Sequence, residues 1–301
     1  MQRIDLAFAT STPLTVGIIA LWLKWTKKMP YIFEVRDLWP EAPIQLKIIK
    51  SKLLIAVAKK LEKTIYKHAK SIIALSPGIK VGILNSYQNA HVHTVPNMSD
   101  IDFFNDRKMA SNKSNGIVIG YFGAFGMANN MSFVLEIASE CRKKKLAILF
   151  KIVGEGSQKQ DFECRVKKMN LSNIKIYTHK NRHEIKNLMK EVDACITTFA
   201  NIPVLETNSP NKFFDGLAAG KICIVNTKGW LKELVEEYHC GFYIDPTKPQ
   251  DFPNIIKSYI TNYELLLSQQ QNSIKLAREK FDKNELVKKV CDLVIDYKPE
   301  N

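Results

Sequence analysis

The residues best suited to chemistry lie in one stretch, from Leu205 to Lys221. Pro210 is placed to open a helix, because its missing N–H costs nothing in a first helical turn. Asn211 and Lys212 then fall in that turn, where backbone amides and the Lys212 ammonium can face a diphosphate. Asp215 follows one turn later, placed to accept hydrogen bonds from vicinal hydroxyls such as those of a ribose. The stretch indicates a nucleoside diphosphate site; the alternative is an ordinary helix with a dipole-stabilising aspartate and a solvated lysine.

Two loops rich in glycine follow consecutive predicted strands. The first carries Gly123, Gly126 and Asn129 and is followed by a predicted helix, and the second carries Gly154 and Gly156. Glycine lets a backbone approach a ligand closely, and a helix N-terminus favours an anion, so both loops suit a phosphate. The spacing is not GxGxxG and no acidic residue closes the next strand, which excludes a dinucleotide fingerprint. Turns without ligands would explain either loop taken alone.

These loops belong to a regular alternation of strands and helices. Strands are predicted at 4–10, 31–36, 71–75, 91–95, 117–122, 147–153, 173–177, 193–197, 221–226 and 241–244. Helices are predicted at 14–27, 53–70, 131–144, 158–169, 182–190, 211–219, 230–237, 252–278 and 284–297. This alternation is typical of parallel α/β sheets, which bind ligands at the carboxyl ends of their strands. A polar stretch at 98–115 predicts two doubly wound α/β domains, with a ligand in the cleft between them.

Composition narrows the class of protein. The 301 residues are 46% hydrophobic and 25% charged, which is an ordinary globular composition. The six cysteines are scattered without a CxxC pair, so zinc clusters and a disulfide framework are not expected, and a reducing cytosol fits best. The net charge of +14 would suit nucleic acid, an anionic membrane, a phosphorylated substrate or solubility alone. No segment interleaves basic and aromatic residues, so nucleic acid is not an expected partner.

Metal binding has weak support in the sequence. Asp100 and Asp102 form a DxD pair, but they follow a Pro-Asn turn, so Asp100 is predicted to cap a helix. His179 and His183 have helical spacing but no third candidate ligand nearby. We therefore expect neither a metal nor a cofactor.

Taken together, these motifs resemble those of the retaining family-4 glycosyltransferases, which have the GT-B fold and use nucleotide sugars. The run from Asp215 to Gly220 is similar to the family's helix signature, and Glu206 to its preceding acidic residue, one residue further away than usual. Val95-Pro96-Asn97 resembles its interdomain motif, and the two glycine loops resemble its phosphate-side loops. The resemblance implies transfer from a nucleoside diphosphate sugar, UDP-linked, with retention. Glu206 would orient the sugar, and Lys212 would stabilise the diphosphate without a metal.

The stretch from Phe33 to Glu41 resembles the branch that builds bacterial O-antigen and capsule, including N-acetylfucosamine transferases. Arg36 stands where most family members have a histidine, and Asp37 follows it. The resemblance implies that both face the acceptor, a lipid-linked sugar or glycan at the cytoplasmic face of the membrane. The basic helix 53–70 would then dock on anionic lipid, the alternative being an ordinary solvated face.

The resemblance also implies a domain plan. An acceptor-side lobe is expected at 1–108, a donor-binding lobe at 109–282, and a C-terminal helix at 283–301 that crosses back to the first lobe. The family's opening strand and Gly-Gly loop have no counterpart here, so the first lobe is expected to be incomplete. We then expect the chain to transfer sugar poorly alone, or to need a protein partner that supplies the N-terminal part. A catalytically impaired remnant that still binds nucleotide sugar is the alternative.

Overall fold

Parallel strands form two separate sheets in the computed structural model, which describes residues 4–109 and 116–295. The described residues divide into two compact units. Unit 1 holds 4–97, 202–209 and 284–295, and unit 2 holds 98–109, 116–201 and 210–283. The predicted domains are contiguous in sequence, whereas 202–209 here belongs to the first unit. The predicted linker lies partly outside the described residues, which omit 110–115.

Unit 1 is built on a four-stranded parallel sheet with the order β1-β2-β3-β4. Its strands are β1 (Ala7–Thr10), β2 (Tyr31–Val35), β3 (Ser71–Ala74) and β4 (Val92–Thr94). Its helices are α1 (Val16–Lys27), α2 (Glu41–Gln45), α3 (Lys52–His68) and α4 (Pro77–Ser86). The apolar run in β2 is almost fully buried, as expected for a strand covered on both faces. The sequence pattern does not predict α2 or α4.

Helix α4 begins at Pro77 and Gly78, where the sequence pattern predicts only the end of a strand. Pro77 occupies the first helical turn, where its missing N–H removes no intrahelical bond. The Ser76 hydroxyl accepts a hydrogen bond from the Ile79 N–H at 3.0 Å and so caps the helix. Proline and glycine therefore start this helix instead of preventing it.

Unit 2 is built on a six-stranded parallel sheet with the order β10-β9-β8-β5-β6-β7. Its strands are β5 (Ile117–Phe122), β6 (Ile148–Val153), β7 (Ile174–Tyr177), β8 (Ala194–Thr197), β9 (Ile222–Val225) and β10 (Gly241–Tyr243). Its helices are α5 (Met131–Lys143), α6 (Lys159–Lys168), α7 (Arg182–Met189), α8 (Asn211–Ala218), α9 (Trp230–Glu237), α10 (Phe252–Thr261) and α11 (Tyr263–Lys280). The predicted parallel α/β architecture is confirmed.

The prediction of one helix over 252–278 is wrong. Asn262 separates α10 from α11 in an extended conformation, and its side-chain oxygen accepts from the Leu265 N–H at 3.0 Å. An asparagine at this position caps the second helix, which the continuous apolar spacing had concealed. Helix α12 (Lys283–Ile295) follows, and its residues 284–295 group with unit 1. No helix in the described ranges has both the length and the apolar character needed to span a bilayer.

Candidate functional site

The ammonium of Lys212, in the first turn of α8, is enclosed by aromatic and amide groups, and no carboxylate within residues 4–109 and 116–295 pairs with it. Its Nζ lies 4.6 Å from the centroid of the Tyr121 ring and 5.4 Å from that of Phe199. It also donates to the Tyr121 hydroxyl at 3.3 Å. With the Asn129 amide turned so that both its ends find partners, its oxygen accepts from Nζ at 3.1 Å. Burial lowers the pKa of Lys212 to about 7, so the neutral and charged forms of this lysine are both populated near neutral pH.

The two glycine loops, which follow β5 and β6, are joined through their backbones. The Gly123 N–H donates to the Val153 carbonyl at 3.0 Å, and the Phe125 N–H donates to the Glu155 carbonyl at 2.8 Å. A Cβ at Gly154 would lie 1.8 Å from the Gly123 oxygen, and one at Gly156 would lie 2.6 Å from the Phe125 oxygen. The glycines of the second loop are therefore required by close packing of one loop on the other.

The first loop faces Lys212 directly. A Cβ at Gly123 would lie 3.3 Å from the Lys212 Nζ, whereas one at Gly126 would meet only the Asn129 side chain, also at 3.3 Å. The loop is held from its other side as well, since the Thr198 hydroxyl donates to the Asn129 carbonyl at 2.6 Å. The structure thus brings together Lys212, Asn129 and both predicted glycine loops at the carboxyl ends of neighbouring strands.

Asp215 lies one turn beyond Lys212 on α8, in a different electrostatic environment. Burial raises its pKa to about 6, while the positive charge of Arg182 opposes that rise. Arg182 itself forms an ion pair with Asp100, with 2.9 Å between nitrogen and oxygen. Asp215 is therefore a carboxylate that is only partly compensated and that hydroxyl donors would stabilise in its ionised form.

In the Asp100–Asp102 pair, the Asp100 carboxylate is occupied by protein contacts. Asp100 accepts hydrogen bonds from Arg182 and Lys283, which lower its pKa although burial would raise it. Its other oxygen accepts from the Phe103 N–H at 3.3 Å, so it caps a turn where a helix had been predicted. Among the described residues, no three His, Cys, Asp or Glu side chains are arranged to hold a metal ion.

Arg36 and Asp37 lie in unit 1, just after β2. The Thr12 hydroxyl donates to the Asp37 carboxylate at 3.2 Å, and the Arg36 guanidinium lies 3.9 Å from the Glu34 carboxylate. Burial raises the pKa of Asp37 despite the Thr12 hydrogen bond and the charge of Arg36. Both predicted residues thus follow the carboxyl end of β2 and place a basic and an acidic side chain at that edge of the first sheet.

Glu206 belongs to unit 1 although it precedes α8 in sequence. It lies in a short 3₁₀ turn over 203–207, which unit 1 holds from two sides. The Val204 N–H donates to the Gln45 side chain at 3.0 Å. The Ser76 hydroxyl donates to the Thr207 carbonyl. The predicted site residues therefore fall in two sets: Glu206, Arg36 and Asp37 in unit 1, and the remainder in unit 2.

Sequence reasoning missed the partners of both charged residues on α8. Tyr121 and Phe199, which contact the Lys212 ammonium, follow no motif, although both lie at carboxyl ends of parallel strands. Arg182, which acts on Asp215, begins α7 after the short loop that follows β7 and could have been found by the same rule. The aromatic rings and the amide around the Lys212 ammonium favour a donor-site role over the alternative of a solvated charge.

Comparison with known proteins places these observations in a family. Residues 102–276, more than half of the chain, match the model of the glycosyl transferases group 1 family. The uncharacterized glycosyltransferase MJ1178 of Methanocaldococcus jannaschii is 25% identical over 159 residues. That match covers 53% of this chain and 42% of MJ1178, so it spans less than half the length of this curated relative.

Two solved structures are similar in fold. HepE of Anabaena, in complex with UDP and glucose, gives a TM-score of 0.77 at 18% identity, covering 97% of this chain and 78% of HepE. WaaG, a glycosyltransferase involved in lipopolysaccharide biosynthesis, gives 0.69 at 14% identity, covering 92% of this chain and 80% of WaaG. These likenesses confirm the predicted GT-B type of α/β fold. The family match over residues 102–276, more than half of the chain, establishes that the chain belongs to the group 1 glycosyltransferases.

Proposed function

We propose that the protein transfers a sugar from a UDP-linked donor to a hydroxyl of a glycan or lipid-linked acceptor, with retention of configuration. The enclosed ammonium of Lys212 is the observation that carries this proposal. It lies beside a glycine loop and at the start of a helix, and the groups around it are aromatic rings, a phenol and an amide. A diphosphate would supply the negative charge that these groups do not.

The same arrangement would stabilise the leaving group. As the bond from the anomeric carbon to the diphosphate breaks, its electron pair passes to the diphosphate oxygen. The acceptor hydroxyl oxygen bonds to the anomeric carbon, and its proton passes to the departing diphosphate. Lys212 would neutralise that charge, and the N–H groups of Asn211 and Lys212 in the first turn of α8 would donate to it, since the first N–H groups of a helix have no intrahelical partners. Asp215 would accept from the ribose hydroxyls. Gly123, Gly126, Asn129 and Asn211 would line the path of the diphosphate.

The acceptor half of the reaction is assigned to unit 1. We propose that Glu206 orients the donor sugar and that Arg36 and Asp37 bind the acceptor. Asp37 is half-buried and has a raised pKa, so it is suited to hydrogen-bond a hydroxyl group. Arg36 has its guanidinium partly exposed and would bind a phosphate or carboxylate.

Synthesis of cell-surface polysaccharide, of O-antigen or capsule type, is the proposed setting. The Phe33–Glu41 stretch supports that branch of the family. WaaG, which has the same fold, is described as acting in lipopolysaccharide biosynthesis. HepE, which is described with bound UDP and glucose, supports UDP as the donor nucleotide.

A cytoplasmic location at the inner face of the membrane fits the surface of α1. This helix exposes Ile18, Ile19, Trp22 and Trp25, each by about half or more. Lys24 and Lys27 lie in its last turn. Exposed tryptophans beside lysines are typical of helices that lie in an anionic membrane surface. A protein partner could cover the same face of α1 instead. Vesicle binding distinguishes the two, because only a membrane-binding face would bind lipid vesicles.

The function is tested by calorimetry with UDP and by transfer from labelled UDP-sugars to lipid-linked acceptors. Lys212→Met should lose most UDP affinity, because it removes the cation that faces the diphosphate. Lys168→Met, at the exposed end of α6, is the matched control and should bind UDP normally. Equal UDP affinity in Lys212→Met and wild type would disprove the assigned donor site.

A further inference from the structure

A cavity of about 660 Å³ lies wholly within unit 1, beside none of the donor residues of unit 2. Helices α2, α3 and α4 form three of its walls, and the 203–207 turn forms the fourth. Its size falls in the range of small-ligand pockets, which is about 300–1,000 Å³. The mechanism above gives this cavity no role.

The cavity contains a carboxyl group that the proposed chemistry does not use. Glu62, on α3, is only 9% exposed and lines the cavity. Tyr66 and Ser86 both donate hydrogen bonds to it. Burial raises the pKa of Glu62 to about 7, against those hydrogen bonds and the charge of Lys59. A carboxyl at this position both accepts and donates hydrogen bonds near neutral pH, which suits hydroxyl groups.

The other lining groups divide the cavity by chemistry. Asn85 and Ser86 add an amide and a hydroxyl near Glu62, while Leu38 and Val81 supply apolar surface. Lys59 and Lys63 lie one helical turn apart on α3 and form a basic side. Lys59 is 3.8 Å from Glu41, so Lys63 is the better candidate for an added anion.

The fourth wall connects the cavity to Glu206. Val204 and Thr207 line the cavity, and they are three residues apart, on one face of the 3₁₀ turn that also carries Glu206. Gln45, another lining residue, accepts from the Val204 N–H and donates to Glu41 at 2.8 Å. A ligand in the cavity would therefore contact the turn that presents the proposed sugar-orienting glutamate.

We propose that this cavity is a binding subsite for a phosphorylated sugar of the acceptor. The sugar hydroxyls would bind Glu62, Asn85 and Ser86, and the phosphate would bind Lys63. The assignment to the acceptor rests on the proposed function, whereas the binding chemistry depends only on the cavity. Binding here would also hold the 203–207 turn in place for transfer.

The test measures binding of small probes by calorimetry in saturating UDP, which keeps the probes out of the donor site. The probes are glucose 1-phosphate, N-acetylglucosamine 1-phosphate, the methyl glycosides of both sugars, and inorganic phosphate. We expect at least one sugar phosphate to bind at least fivefold more tightly than its methyl glycoside and than phosphate. UDP binding itself is recorded first, so a failure of the proposed function is seen separately from a failure of the cavity.

Three variants locate the bound probe. Val81→Trp should abolish binding by filling the cavity mouth, and because Val81 is 57% exposed the larger ring need not overpack the core. Its control is Val287→Trp, at a position on α12 that is 41% exposed and outside the cavity lining. Glu62→Gln should weaken the sugar phosphate and the methyl glycoside alike, by fivefold or more.

Lys63→Gln should remove the advantage of the sugar phosphate over the methyl glycoside. Its control is Lys52→Gln, at the exposed start of the same helix. Thermal unfolding of each variant shows whether it is folded. Absence of saturable binding by either sugar phosphate, or binding that Val81→Trp leaves unchanged, overturns the proposal. Phosphate binding as tightly as the sugar phosphates also overturns it, because a bare anion site would then suffice.

Discussion

Binding of UDP should be accompanied by uptake of a proton at Lys212. In the free protein, burial lowers the pKa of this lysine to about 7, so at pH 8 about nine tenths of it is neutral. A bound diphosphate favours the charged ammonium and should return the pKa toward the ordinary lysine value of about 10.4. The expected uptake is therefore about 0.9 proton per UDP at pH 8 and about half a proton at pH 7.

The same linkage fixes how affinity depends on pH. A group that is charged in the complex but neutral in the free protein weakens binding as pH rises above its free pKa. UDP affinity should thus fall about fivefold from pH 7 to pH 8 and about ninefold from pH 8 to pH 9, which is about 50-fold over the two units, or about 2 kcal/mol. Phosphate groups ionise near pH 6, so UDP itself contributes little change over this range.

Calorimetry in Tris and in HEPES measures the proton uptake, because the two buffers release protons with different enthalpies. Lys212→Met should show no uptake at pH 8, and Lys168→Met should show the full value. The reasoning is refuted if wild-type protein binds UDP at pH 8 without net proton uptake. It is also refuted if the uptake persists in Lys212→Met, since another group would then be responsible.

Four further outcomes are expected. Asp215→Ala should weaken UDP binding tenfold or more by calorimetry, because hydrogen bonds to charged groups contribute about 1.5–3 kcal/mol. Gly154→Ala should lower stability by about 1–3 kcal/mol in urea unfolding, since its Cβ would lie 1.8 Å from a carbonyl oxygen. The free energy of unfolding of Glu62→Gln, taken relative to wild type at the same pH, should rise by up to about 3 kcal/mol from pH 4.5 to pH 8. Urea unfolding of both proteins at the two pH values measures this difference. The sign follows from the raised pKa of Glu62, whose stabilising contribution is complete below 4.5 and is lost as pH rises through about 7. Trp22→Ser with Trp25→Ser should reduce sedimentation with phosphatidylglycerol vesicles at low salt.

The Asp215 and Gly154 variants each have a matched control within the chain. Asp161→Ala, on the exposed first turn of α6, should keep UDP affinity, and Ser157→Ala should keep stability. A Glu62→Gln gain that is the same at pH 4.5 and pH 8 would show that the carboxyl does not titrate as described. If the tryptophan double variant binds vesicles as well as wild type does, the membrane contact is not on α1. The lysines of α3 would then be the expected contact.

Much of the architecture could be predicted because most strands here are short apolar runs bounded by turn residues. The strand at 117–122 and the helix at 230–237 agree with their predicted bounds. The short helix α2 could not be predicted, since five residues with a proline among them carry no helical period. The sequence pattern does not predict the 3₁₀ turn at 203–207 either, although this turn carries Glu206 and begins with a proline.

The candidate site was only partly predictable for a related reason. Lys212 and Asp215 could be placed on one helix from Pro210 onward, because helix starts have local signals. The environments of Lys212 and Asp215 depend on strands that are distant in sequence. No local spacing of residues predicts that Tyr121 and Phe199 enclose the Lys212 ammonium. The membership of Glu206 in unit 1 is likewise set by Gln45 and Ser76, which are more than 100 residues away in sequence.

The division of unit 1 into three stretches also orders events during synthesis. Residues 4–97 leave the ribosome first, but the turn that Gln45 and Ser76 hold emerges only after β5 to β8 of unit 2. Residues 284–295, the last stretch, emerge after the remainder of unit 2. Until the 203–207 turn has been synthesised, α2 and α4 of the nascent first unit therefore lack their contacts with it. Much of the second unit is made during that time. Maturation of the two units is interleaved in time, and a ribosome stalled soon after residue 97 would expose an unfinished unit to chaperones and proteases.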